Sequence, residues 1–255
     1  MNHLERVLRG LARLAAVALA TWVSPLAAAE FSINPLRVDL DRANKAAEVV
    51  VRNDDTAILR MQVQAMTWRQ DTDGKDQYEP AEGLIYFPRA LEIPPGESRL
   101  VRVGIRAAPV TREDTYRLFV EQLPPAEQAP APKGATLRIL LRVGVAVFVA
   151  PVQPERKADI TRLEMKAGQA HWNVANAGNV HFVADNVELA ALARDGTRLH
   201  VQRFQERYFL AGVVKPLRAD VPREVCAQVA ALEATVTGEN LDLRRRVDVG
   251  PGTCN

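Results

Sequence analysis

Beyond residue 30 the apolar and polar side chains alternate with a period of two, and helical periodicity is scarce. Residues 31–40 read as extended, broken at Asn34-Pro35, with Arg37 between Leu36 and Val38. A short alternating run at 47–52 ends in the turn signal Asn53-Asp54-Asp55. In 59–68, Met61, Val63, Ala65 and Thr67 alternate against Arg60, Gln62 and Gln64. Asp71-Thr72-Asp73-Gly74-Lys75-Asp76 follows as a polar hairpin loop. Further short strands are expected at 84–87, 91–93, 99–105 and 115–123, punctuated by Pro88, Pro94-Pro95-Gly96 and Pro124-Pro125. Short strands at this spacing predict an immunoglobulin-like sandwich of about 100 residues.

The chain is organised around its longest apolar run, residues 137–149. Leu137, Ile139, Leu141, Val143, Val145 and Val147 make one unbroken apolar face, and Gly144 is the only turn former. A strand usually needs about 5–6 residues to cross a sheet, and this one has many more. The surplus is either an edge that a partner pairs with or a strand running through two environments, set against the plainer reading of a central core strand. Ala126 to Lys133, rich in Ala and Pro, reads as a mobile loop leading into it.

Ala150-Pro151-Val152-Gln153-Pro154 reads as a hinge, and a second β-rich unit begins after it. Strands are expected at 159–165, 171–174, 187–192, 198–204 and 212–217. The last two runs, 224–236 and 241–249, are joined by Thr237-Gly238-Glu239-Asn240, which lies midway between Cys226 and Cys254.

The first 29 residues stand apart. Arg6, Arg9 and Arg13 precede an apolar run at 14–23, and Ala27-Ala28-Ala29 supplies small residues for cleavage, which is the order of a secretory signal. The domain expectation is therefore a signal peptide at 1–29, an N-terminal sandwich at 30–151 and a C-terminal one at 152–255. The formal charge of +2 belongs to the leader, whose removal leaves 30 basic and 30 acidic side chains. A neutral mature chain offers no general argument for nucleic-acid binding. No later segment is apolar enough to span a bilayer, so the product is expected to be soluble beyond the inner membrane. In that oxidising compartment a disulfide is the default for Cys226 and Cys254, over a free pair or a metal site. A hairpin turning between them predicts a cross-strand bridge.

Enzymatic chemistry finds little support. His171, His181 and His200 lack the close spacing of a metal motif and read as surface or hydrogen-bonded histidines. No nucleophile elbow, phosphate loop or paired-carboxylate pattern stands out. Asp71, Asp73 and Asp76 match only part of a calcium loop. No cofactor and no metal are expected.

Several short motifs, in this order, carry a resemblance. They are Leu36-Arg37-Val38, Val51-Arg52-Asn53-Asp54-Asp55, Trp68, and the run from Pro95-Gly96-Glu97 to Val101-Arg102-Val103. Tyr116 to Pro125 and Val147-Phe148-Val149-Ala150-Pro151 complete the set. With the signal peptide and two sandwiches, the mature chain resembles the PapD-like periplasmic chaperones of pilus assembly. The ending Gly144 to Pro151 is similar to the archaic branch, linked to spore-coat-U-like subunits.

What the resemblance implies is donor-strand complementation. The chaperone lends a strand to a pilus subunit that lacks its last one, then delivers it to an outer-membrane usher. By position, Leu137, Ile139 and Leu141 match the inserted residues, with Val143 and Val145 behind them. The family anchors the subunit's C-terminal carboxylate with two basic residues. The first matches Arg37; the second, a Lys, falls on Ala146, and Arg142 is the nearest substitute on that strand. A buried Arg matching Arg102 is expected to pair with an acid matching Glu113, with another acid from the second domain whose position falls near Glu239 and Asn240, and to set domain orientation. The free form is expected to be monomeric or weakly self-associating, with a self-capping homodimer left open. The rival is a secreted structural or adhesive sandwich that self-associates through the same edge.

Overall fold

The computed structural model describes residues 31–105, 110–124, 139–250 and 252–254. The expected leader, the Pro-rich stretch 126–133 and Leu137 lie outside the described residues. Two β-sandwiches account for nearly all of the described chain, as the alternation predicted. The first holds ten strands. Sheet A orders β1 (Phe31–Asn34), β3 (Ala46–Asn53), β8 (Ser98–Ile105) and β6 (Leu84–Phe87). Sheet B orders β2 (Arg37–Leu40), β10 (Arg142–Val149), β9 (Asp114–Gln122), β4 (Leu59–Gln70) and β5 (Asp76–Pro80), with β7 (Ala90–Ile93) also on β4. Alternate residues meet between the sheets: Val49, Val51, Val101 and Val103 from one, Met61, Val63, Leu118 and Val120 from the other, all at most 2% exposed.

The second sandwich begins at β11 (Ala158–Lys166), which pairs with β12 (Gln169–Asn176), itself paired with β17 (Val214–Asp220). Facing it, β15 (Arg198–Arg203), β14 (Asn186–Leu192), β18 (Ala231–Gly238) and β19 (Leu241–Asp248) form a four-stranded sheet. A two-stranded ribbon, β13 (Phe182–Val183) with β16 (Tyr208–Phe209), completes the unit. Trp172, Leu189, Leu232 and Val236 fill this core. No helix among the described residues is long and apolar enough to cross a membrane.

Two local expectations are corrected. The run 224–236 is not one strand: Pro222, which cannot donate to a ladder, opens a helical turn, α1 (Arg223–Cys226), and the strand begins only at Ala231. Cys226 and Cys254 are bonded, but from segments flanking the β18–β19 hairpin rather than across its ladder, which runs from Ala231–Asp248 to Gly238–Leu241.

The sandwiches meet through a shared apolar cluster of Trp68, Ala146 and Phe148 from the first and Leu210 from the second. Gln70 ties the two sandwiches together, donating to the Tyr208 carbonyl at 3.0 Å and accepting from the Leu210 N–H at 3.1 Å.

Candidate functional site

The site grows from the way β2 enters sheet B. After β1 has paired with β3 in the other sheet, the chain crosses at Asn34-Pro35 and lies parallel to β10. It covers only part of that strand. Ala146–Val149 pair with Arg37–Leu40, and the Ala146 N–H donates to the Leu36 carbonyl at 3.0 Å. Before Ala146, β10 is laddered on its β9 side alone. The Leu141 carbonyl still accepts from the Gln122 N–H at 2.9 Å, where β9 ends. Backbone groups on this strand turn alternately to β9 and to β2, so those of Arg142 and Gly144 face a lane that β2 does not cover, the template an added strand requires.

Side chains along this strand divide by environment. Val145, Val147 and Val149 point into the first sandwich and are buried. Leu141 and Ile139, one and two alternate positions before Val143 in the sequence, are 42% and 69% exposed. The five-residue donor row is thus corrected at one end. Val145, 0% exposed, belongs to the chain's own core and has no face to offer a partner. Regular strand geometry begins at Arg142, so 139–141 extend the edge as an irregular segment.

Arg37, the first residue of β2, sits where the unpaired edge meets the cleft between sandwiches. Its Nε donates to both Asp39 carboxylate oxygens, at 3.0 and 2.8 Å, and Nη2 donates to Oδ1 at 2.9 Å. The guanidinium carbon lies 5.3 Å from the Phe148 ring centroid. Two cavities adjoin it. The larger, about 540 Å³, is bordered by Asp39, Glu113, His181, Arg156 and Asn240. The smaller, about 450 Å³, is bordered by Leu36, Arg117, Gly144, Tyr208 and Glu239. Arg37 borders both.

Ala146 has Arg37 beside it on one strand and Arg117 on the other. Directly opposed residues project from the same face of a sheet, so two cations flank the small Ala146 side chain. Arg117 is held over Trp68 at 3.7 Å from the ring, and its Nη1 donates to the Gly144 carbonyl at 3.4 Å. Sequence reasoning missed Arg117, although it lies inside the motif Tyr116 to Pro125; its neighbour Ala146 is far away in the chain and only the register joins them. Arg142 is placed elsewhere. It lies about 13 Å along the strand from Ala146, paired with Glu121 at 3.5 Å and stacked 3.8 Å over Phe119. It borders neither cavity.

The expected pairing of Arg102 with Glu113 is corrected. Arg102 is not buried: its side chain is 78% exposed and bonds Glu48, the residue opposite it on β3, at 3.1 Å. Glu113 is buried, and its partner is His181 of the second sandwich. Glu113 Oε2 accepts from the His181 backbone N–H at 2.8 Å and lies 2.8 Å from Nδ1. The imidazole stacks on Phe148 with centroids 3.6 Å apart. Asn179 extends the junction, donating to the Thr111 and Gln153 carbonyls at 3.0 and 2.9 Å. Next door, burial pushes the Asp114 carboxyl above its ordinary range, Arg69 opposes that, and the Glu113 charge adds to it.

Glu113→Ala would strand a buried N–H and a buried ring nitrogen, so a loss of about 1–3 kcal/mol is expected. Arg102→Ala, at an exposed pair, should stay within about 0.5 kcal/mol. Urea unfolding of both variants checks this, and equal losses would restore Arg102 to the junction.

A scan against family models matches residues 30–155 to the pili and flagellar-assembly chaperone PapD N-terminal domain. No curated protein sequence matches the chain. Among solved structures, the chain is similar to the chaperone–tip adhesion subunit pre-assembly complex from the archaic chaperone-usher Csu pili of Acinetobacter baumannii. That match has 17% identity and a TM-score of 0.57, over 87% of this chain and 98% of the other. The Salmonella enterica SafA pilin in complex with the SafB chaperone gives 14% identity and a TM-score of 0.56, over 87% and 98%. The Pseudomonas aeruginosa CupB2 chaperone gives 16% identity and a TM-score of 0.53, over 86% and 100%. The two-sandwich architecture, the family model and the motifs that run from Leu36 to Pro151 agree, and the chain belongs to the family of PapD-like pilus-assembly chaperones.

Proposed function

We propose that this protein is a periplasmic chaperone of the archaic branch. It holds pilus or spore-coat-U-like subunits by lending them the strand around residues 137–143 and delivers them to an outer-membrane usher. The observation that carries this is the unpaired edge of β10, with Ile139 and Leu141 exposed at one end and Arg37 at the other. An added strand in the lane of β2 would run up to Leu36, so a chain terminus ending there meets the Arg37 guanidinium. Arg37 is the primary carboxylate anchor, and Arg117, across Ala146, supports it in place of Arg142. Strand pairing supplies main-chain hydrogen bonds and alternate side chains supply apolar contact, so the cycle needs neither nucleotide nor metal. In this reading residues 1–29 are the export signal, and 30–151 and 152–255 are the two domains. Two of the matched structures are chaperones bound to a pilin or a tip subunit, which supports the partner class.

Co-expression in a bacterial periplasm with the subunit gene nearest the chaperone's own, followed by pull-down, tests the reading. The wild type should recover a one-to-one complex. Arg37→Ala should retain about tenfold less subunit at equal concentrations, the effect of losing charge-assisted hydrogen bonds. If the wild type recovers no subunit and oligomerises alone, the self-associating structural protein replaces the chaperone.

A further inference from the structure

We infer that Asp39 is a positioning residue for the carboxylate anchor, holding the Arg37 guanidinium by one edge so that the other edge receives a terminal carboxylate. This rests on the proposal that Arg37 anchors a subunit. The two residues are i and i+2 on β2, so both side chains stand on the same side of the strand. Their contact is one-sided: Asp39 engages Nε and Nη2. A guanidinium carries five N–H groups in a planar fork. Nη1 makes no hydrogen bond among the described residues. Together with the second hydrogen of Nη2 it forms the end of the fork, which matches a carboxylate through two parallel bonds.

The surroundings agree with a held side chain. Phe148 lies beneath the guanidinium at 5.3 Å. Asp39 borders only the larger cavity, whereas Arg37 also borders the smaller one, beside Arg117 and next to the unpaired edge. The Asp39 carboxylate is thus turned to one side of the junction while the cation serves both.

Two effects of Asp39 oppose each other. Its charge repels an incoming carboxylate, and its hydrogen bonds remove the entropy that a free Arg would lose on binding. The Arg37 and Asp39 side chains are 39% and 57% exposed, so solvent and salt screen the repulsion. Ordering of a long side chain is not screened, and it accounts for about three- to tenfold in affinity. Ordering therefore dominates.

The probe is a ten-residue peptide of alternating Val and Thr, made with a free C-terminal carboxylate and as its C-terminal amide. Each form is titrated onto the full exported chain as wild type, Asp39→Asn, Asp39→Ala and Arg37→Ala. The quantity read is the ratio of the two affinities; an effect on folding would change both affinities alike and cancel. Wild type should favour the carboxylate by about tenfold, and Arg37→Ala should abolish that preference. Asp39→Ala should lower the ratio by about three- to tenfold. Asp39→Asn, which keeps an acceptor oxygen without the charge, should retain most of it. The Arg37 Nε–H resonance should broaden in Asp39→Ala before any peptide is added. A ratio that rises or stays level in Asp39→Ala overturns the positioning role while leaving the anchor intact. A wild type that binds both peptides equally overturns the anchor itself, and the positioning role with it.

Discussion

Ile139→Asp and Leu141→Asp are each expected to abolish subunit capture while leaving the chaperone folded. Both side chains are exposed, at 69% and 42%, and neither belongs to the buried core of the first sandwich. A substitution at such a place changes stability by about 0.5 kcal/mol or less. On binding, each would fill an apolar pocket of the incomplete subunit, a burial worth about 1.5–3 kcal/mol for an Ile or Leu. An Asp forfeits that gain and adds the cost of taking a carboxylate out of water. Together these exceed a hundredfold in affinity. Thermal unfolding of each free variant should match the wild type, and pull-down should recover no subunit. Variants that still hold the subunit would remove 139–141 from the contact and leave the open edge of β10 without its donor.

Why the donor row was legible only in part follows from what alternation encodes. A period of two tells which side of a strand a residue faces, and it sets Ile139, Leu141, Val143 and Val145 in one row. It does not tell where the facing sheet stops. Val145 lies beside Leu118 of β9 and faces the first core, Val143 is half-buried, and β9 ends opposite Leu141. The same apolar row therefore serves the chain's own core at one end and faces solvent at the other.

Ion pairs were the least legible feature, because their partners are chosen by register. Arg102 stands opposite Glu48, a pairing that depends on how β3 and β8 align. Glu113 finds His181 because β9 begins where the second sandwich docks, and nothing local in either segment announces that contact. Arg117 reaches the anchor by the same route, through its ladder position beside Ala146. By contrast most strands of both sandwiches were readable from alternation bounded by Pro, Gly and Asn; β13 (Phe182–Val183) and β16 (Tyr208–Phe209), two residues each, are too short to alternate and were not. The exposed β5 (Asp76–Pro80) was not, because nothing in its all-exposed composition alternates.

Removing the Cys226–Cys254 bond is expected to cost about 3–4 kcal/mol, from the loop it closes across a sequence separation of 28. The position of the bond makes that loss local. Cys226, 4% exposed, ends α1 and packs with Val225 and Val229 against the second core. Cys254 lies beyond β19, in a tail whose Thr253 carbonyl accepts from the Gly168 N–H at 2.8 Å, at the β11–β12 turn. The bond thus ties both ends of the β18–β19 hairpin together beside the β11–β12 turn, in the sandwich that does not carry the donor edge. Chemical unfolding of the oxidised protein and of the Cys226→Ala, Cys254→Ala double variant should differ by that amount, read by tryptophan fluorescence in a Trp68→Phe background, which leaves Trp172, 0% exposed in this core, as the reporter. At low denaturant the double variant should still capture subunit, because β2, β10 and Arg37 lie in the other sandwich. An unchanged midpoint would mean that packing alone holds the hairpin. Loss of capture without denaturant would mean that the second sandwich shapes the cleft around Arg37, and that the bond reaches function through the Glu113–His181 junction.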